Sequence, residues 1–212
     1  MLKTTTELTN EYIKEHPDIK SCLKKDIINY SSLARLVAND LKIEKSSSKE
    51  AILIAARRFR ESLKKEQNNE KKIKELLSRS EYDIKNKIVV YILNKSIDFD
   101  GLLDIQKQVR KDYGTIYILE GSDNYTVVVQ KKHSDLVKDR LNNNIVKINE
   151  DLVLINLKSS KDIEYMLGVV SFVTSLFTEN GVNILEFFSC WTDTVFVIES
   201  KDLNKTIDFL KF

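Results

Sequence analysis

The sequence predicts an α+β fold: an all-helical N-terminal domain followed by two βαββαβ repeats, the second lacking its last strand. Three observations predict it. The hydrophobic period is that of helices up to about residue 80, and from residue 87 strand-type runs alternate with helical ones. The second region reads as two passes of one order of elements. Landmarks recur between the passes at a spacing of 67 or 68 positions: Gly114 with Gly181, Thr126 with Thr194, and Asp135 with Asp202.

In the helical part, residues 1–80, Leu8 and Tyr12 mark a first helix, and the only proline, Pro17, suits the first turn of a second one carrying Ile19, Cys22 and Leu23. The stretch NYSSLARLVANDL places Leu33, Leu36, Val37 and Leu41 on one face. Ser47 and Glu50 form an S-x-x-E capping box that opens a longer helix, KEAILIAARRFRESLKK. EQNNEKK then reads as an exposed hinge or a polar helical face.

The first repeat, residues 81–149, is read as strand 87–93, helix 101–111, strands 115–120 and 125–130, helix 134–141 and strand 145–148. The second, residues 150–212, is read as strand 152–157, helix 161–178, strands 183–188 and 194–198, and helix 201–210. In its first helix Ile163, Met166, Leu167, Val170, Val173 and Phe177 make one broad apolar face, as a helix lying on a sheet requires. The missing strand is expected to leave an open sheet edge, and homodimerisation through the sheets is the economical way to cover it.

With 42% hydrophobic residues in 212, the chain can bury proper cores. No apolar run reaches the roughly 18 to 20 residues that span a bilayer, and the polar start MLKTTTELTNEYIKEHPD is unlike a secretory signal, so a cytoplasmic protein without membrane contact is expected. Cys22 and Cys190 have no metal-ligand spacing and are read as reduced core thiols. Residues 1–85 hold 19 basic and 14 acidic residues, net +5, and the remainder holds 15 and 18, net −3. Different partners for the two parts follow.

The segment ENGVNILEFFSCWTDTVFVIESKDLNKTIDFL resembles the second half of an ACT domain, the small ferredoxin-like module that binds amino acids or similar effectors. Its G-V-N-I start to a strand, its hairpin and its V-F-V-I-x-x-x-D-L exit into a helix resemble most closely the regulatory ACT domains of aspartate kinases. Residues 152–212 carry the resemblance well and 87–148 more loosely. It implies two ferredoxin-like repeats and a ligand between the loop after the first strand and the second strand of a neighbouring domain. In the second repeat these are Lys158, Ser159, Ser160 and Asp162, and Asn183 and Ile184. Asp162 suits an ammonium, backbone donors after Ser160 suit a carboxylate, and Asn183 suits either end. The bland alternative stays open: Asp162 as a first-turn acid and Asn183 as a turn residue. The first loop, KSSKDIEY, lacks the Pro-Gly of many ligand-binding members.

The helix pair 29–41 and 47–65 has the outline of a helix-turn-helix, with Ser47, Ser48 and Lys49 near a groove and Arg57, Arg58, Arg60 and Lys64 available for phosphates of double-stranded DNA. A second reading stays open, a helical packing domain with solvated arginines, because KIEKSSS exceeds the usual turn and the run 51–56 is apolar nearly all round. Catalysis is not indicated. His16 and His133 lack partners and are read as surface residues, five scattered glycines make no phosphate loop, and no cofactor or metal motif occurs. Ser189, Cys190, Trp191, Thr192 and Asp193 read as a hairpin corner and not as a nucleophile site. The function expected is an amino-acid-responsive transcriptional regulator; the alternative is a module that regulates a metabolic enzyme without DNA.

Overall fold

The computed structural model describes residues 3–43, 46–97 and 99–212, without the side chains of 46–48 and 64–69. The chain forms two compact units, Met1–Lys72 and Ile73–Phe212.

The first unit holds α1 (Thr5–Glu15), α2 (Pro17–Lys24), α3 (Tyr30–Asp40) and the larger part of α4 (Ser46–Leu77). Local chemistry sets the starts. Thr4 and Glu7 close a reciprocal capping box on α1, Pro17 opens α2, and Asn29 accepts from the Ser32 N–H to cap α3. Leu33, Ala34, Val37 and Ala38 of α3 share one core with Ile52, Ala56 and Leu63 of α4 and with Tyr12, Ile13 and Leu23. The alanines at this contact let the helix axes approach closely. α4 begins at Ser46, one residue before the expected cap, and stays helical through EQNNEKK, so that segment is a helical stretch and not a break. Within 51–56, Ile52, Ala55 and Ala56 are buried and Ile54 is about half exposed, so the run is mostly buried with one residue turned out.

The second unit carries one six-stranded antiparallel sheet in the order β2-β3-β1-β4-β6-β5. Its elements are β1 (Glu81–Asn94), α5 (Phe99–Lys111), β2 (Ile116–Glu120), β3 (Asn124–Gln130), α6 (Ser134–Leu141), β4 (Ile145–Lys158), α7 (Val169–Glu179), β5 (Glu186–Cys190), β6 (Asp193–Glu199) and α8 (Leu203–Phe209). Both β1 and β4 run for 14 residues and serve both repeats. The C-terminal half of β1 sits between β3 and the N-terminal half of β4, which completes the first repeat. The C-terminal half of β4 pairs with β6, and on its other side with residues 81–85 of β1, from Glu81↔Lys158 to Lys85↔Leu154. Residues 81–85 therefore occupy the place of the strand that the second repeat lacks. The open edge expected beside β4 is covered by the same chain.

Each long strand bends once. Lys87 (φ 57°) and Asp151 (φ 56°) adopt left-handed backbone, and the β1–β4 register shifts beside them. A shift of one residue exchanges the faces of a strand. Ile84 thus joins the core under α7 and α8, while Ile88 and Val90 face the opposite layer. Three layers follow. Val89, Tyr91 and Leu93 meet α5 and α6; Val153, Ile155, Leu157, Phe196 and Ile198 meet α7 and the last turn of α4; Ile88, Val90, Leu152, Leu154, Val195 and Val197 fill an inner layer. Tyr117 on one edge strand and Phe188 on the other are 4.8 Å apart between ring centroids, so the sheet curls over that inner layer.

The helix expected over 161–178 is broken. Lys161–Tyr165 form a short 3-10 turn, and α7 starts only after Gly168, which is left-handed (φ 94°). Leu167 is 81% exposed and Val170 53%, so both leave the apolar face assigned to them, while Val173 and Phe177 remain buried. β5 likewise starts at Glu186 and not at 183. Gly181 and Val182 first close the end of α7 through bonds to the Thr178 and Phe177 carbonyls, and the chain reaches β6 only at Leu185.

Two further expectations are corrected. Cys190 is exposed rather than a core thiol. His133 is 4% exposed, with its ring against Gly114; a Cβ there would lie 2.4 Å from His133 Nε2. Gly114→Ala is expected to destabilise the protein by about 1–3 kcal/mol in urea unfolding, because the ring has no room to retreat. Burial holds the His133 imidazole below its ordinary value of 6.5; Lys132 acts the same way and Asp112, 3.9 Å from Nδ1, opposes. The unfolded chain takes up that proton first, so this contribution is complete above the unfolded value and is lost as pH falls through the lower folded one. Urea midpoints at about pH 7.5 and 5.5 should show the loss, and His133→Gln should reduce it.

Candidate functional site

The loop after β4 is ordered by local bonds. The Ser159 N–H donates to the Thr192 carbonyl at 2.9 Å, and the buried Ser159 hydroxyl shares a 2.9 Å hydrogen bond with that of Ser80. Ser160 precedes the 3-10 turn and donates its hydroxyl to Asp162 Oδ2 at 3.2 Å. Lys158 and Asp162 are exposed. Within five residues the loop thus presents two cationic side chains, Lys158 and Lys161, a carboxylate and the Ser160 hydroxyl, while the Ser159 hydroxyl is turned inward.

What meets this loop is the hairpin corner between β5 and β6. Cys190 pairs with Asp193, and the two-residue turn places Trp191 in left-handed backbone at φ 54°, an uncommon state for a bulky side chain. Side-chain contacts hold it there: the indole N–H donates to Glu164 at 3.2 Å, and Lys161 Nζ stands 5.2 Å over the ring. Trp191 remains 60% exposed, beside a turn that also exposes Tyr165 and Leu167.

Asn183 and Ile184 lie elsewhere. Cys190 is level with Lys158 through Asp193, whereas Glu186 is level with Leu154 through Val197. Those levels are about 13 Å apart at 3.3 Å per residue, and Asn183 precedes Glu186 by three more positions. Within one chain, therefore, Asn183 and the Lys158 loop stand at opposite ends of the half-sheet. Asn183 is exposed, and Ile184 packs against the core under α7.

A second polar group lies toward the inner layer, where no sequence motif announced it. Asn156 donates to Asp193 Oδ1 at 2.6 Å and is the register partner of Asp83, which accepts from Lys85 at 2.5 Å. Asn156 Oδ1 is buried without a partner. Burial pushes the nearby Tyr117 hydroxyl up, with Lys85 opposing. Only the pairing of residues 81–85 with β4 brings these groups together.

In the first unit, Arg57, Arg58 and Arg60 line one open groove of about 270 Å³ with Tyr30 and Glu61. Arg60 is committed to Asp26 at 2.7 Å, with Glu61 at 3.9 Å. Arg57 stands 5.5 Å over the Tyr30 ring. The Tyr30 hydroxyl is buried without a hydrogen-bond partner among the described residues, which costs about 1–3 kcal/mol in the free protein. Lys49 is exposed beside Arg35 in a neighbouring groove. The side chains of Ser47, Ser48 and Lys64 fall outside the described residues. Five residues separate α3 from α4, longer than a three- or four-residue helix-turn-helix turn.

No protein-family model matches the sequence. No curated protein matches it either. Solved structures do match, several aspartate kinases among them. The enzyme of Clostridium acetobutylicum aligns over 61% of this chain and 33% of its own length, with 12% identity and a TM-score of 0.51. The aspartokinase alpha and beta subunits align over 64% and 94%, with 11% identity and a TM-score of 0.50. The regulatory subunit of the Thermus thermophilus enzyme aligns over 62% and 94%, with 8% identity and a TM-score of 0.49. The chain thus spans a third of the Clostridium enzyme, and the likeness is one of fold. No described helix is long and apolar enough to cross a membrane.

Ser159→Ala tests the loop's anchoring. Removing the Ser159 hydroxyl should cost about 1 kcal/mol in urea unfolding, since Ser80 keeps its bond to the Leu76 carbonyl.

Proposed function

We propose that this chain is a regulatory protein that senses a small metabolite, an amino acid, through two ACT-like repeats, and that it acts by binding and not by catalysis. The observation that carries this reading is the second unit: two ferredoxin-like repeats fused into one sheet, a fold it shares with an aspartate kinase described as an allosteric enzyme. The loop chemistry supports the ligand class. Asp162 suits the ammonium, and Lys158 with the backbone after Ser160 suits the carboxylate. Because Asn183 and Ile184 lie at the far end of the same half-sheet, they complete such a site from a second copy, which makes a homodimer part of the proposal.

A second reading concerns the output. Two exposed arginines, Arg57 and Arg58, on one groove of the first unit favour double-stranded DNA as the partner, which would make the protein a transcriptional regulator. The competing output, regulation of a metabolic enzyme without DNA, is the outcome if no duplex binds.

Thermal unfolding of the full chain against each of the twenty amino acids tests the sensing role. A ligand at about 100 times its Kd adds roughly 2.7 kcal/mol, a rise of about 5 °C or more for a chain of this size. Asn183→Ala and Asp162→Ala should each abolish that rise while leaving the unliganded melting temperature in place. No rise with any of the twenty would overturn the amino-acid reading.

A further inference from the structure

We infer that the groove formed by Tyr30, Arg57 and Arg58 is a seat for a phosphate group, with the Tyr30 hydroxyl as a donor to it. The inference deepens the DNA reading and rests on it for the source of the phosphate, but its parts are independent of that source.

Tyr30 is the first residue of α3, and Arg57 and Arg58 project from the middle of α4. Among the described residues no carboxylate pairs with Arg57 or Arg58, and both side chains are exposed. Arg57 lies over the face of the Tyr30 ring, so its charge is placed without being neutralised. Arg60 differs. It is held by Asp26 and Glu61 and serves as a wall.

The Tyr30 hydroxyl supplies the second line of argument. Among the described residues this atom has no partner and is covered in the free protein, while Tyr30 lines the groove, so donation to an anion there requires the side chains over it to shift. A hydroxyl kept in that state lacks an acceptor, and a phosphate offers several strong ones beside two guanidinium groups. A tetrahedral anion takes the room of roughly two waters at about 30 Å³ each, so a groove of about 270 Å³ admits a phosphate together with its neighbouring sugar. Glu61 is the one acid on the wall, and its closeness to Arg60 keeps it from facing the anion uncompensated.

The test uses the full chain and two variants, Tyr30→Phe and Arg57→Gln, in two titrations: a labelled random-sequence DNA duplex between about 50 and 200 mM salt, and inorganic phosphate or pyrophosphate followed by thermal shift. The expected result is duplex binding that falls about tenfold in each variant, with the salt slope reduced by about one in Arg57→Gln and unchanged in Tyr30→Phe. Tyr30→Phe should melt at or above the parent temperature, since among the described residues the hydroxyl it removes has no partner; a lower melting temperature would mean that the hydroxyl is already bonded in the free protein and is not held for an anion. If inorganic phosphate stabilises the parent but neither variant, and no duplex binds, the seat stands and only the DNA source falls. If duplex binds and both variants bind as the parent does, the seat is overturned while the DNA reading survives. If neither probe binds, both are overturned.

Discussion

The pairing of β1 with β4 decides the form of the second unit. Each strand is twice the length that one ferredoxin-like repeat needs, and each is paired along nearly its whole length to the other. A chain with two separate repeats would need four such strands, and this one makes do with two. The left-handed residues Lys87 and Asp151 make the arrangement workable. They bend the strands and exchange inside for outside, so that β1 meets α7 and α8 through Ile84 in one half and α5 and α6 through Val89, Tyr91 and Leu93 in the other. The curl of the sheet and the contact of Tyr117 with Phe188 follow from those bends.

Much of this was legible in the sequence, for a physical reason. Hydrophobic period reports which residues are buried on one face, so α3, α5, α6, β2, β3 and β6 lie within a few residues of their predicted spans, and α1 and α2 fall where Leu8, Tyr12 and Pro17 marked them. The βαββα order of the second repeat and its hairpin corner at Trp191 and Thr192 were readable in the same way. What period does not report is strand exchange between repeats. Glu81, Tyr82, Asp83, Ile84 and Lys85 do alternate polar and apolar, but over only five residues with two apolar positions, too short a run to stand out as a strand. They are strand because β4 offers them an unpaired edge. The break at Gly168 was hidden because Leu167 and Val170 continue an apolar pattern that the backbone does not follow.

The candidate sites divide along the same line. Lys158, Ser159, Ser160 and Asp162 do share one loop, as their sequence proximity dictates. Its true neighbour is the Trp191 corner, since β4 ends level with the start of β6. Asn183 was joined to that loop by resemblance alone, and pairing register places it at the other end. Tyr30 and Arg57 are 27 positions apart on different helices, and no motif links them. His133 was misread because burial at a strand-to-helix corner depends on the space left above Gly114.

The strand shared between the repeats is the most exposed part of the account. Cross-strand nuclear Overhauser contacts in the full chain measure it directly. The account predicts contacts between residues 81–85 and 154–158 in the register that sets Asp83 opposite Asn156 and Tyr82 opposite Leu157. Their absence, together with rapid amide exchange through residues 81–85, would contradict it.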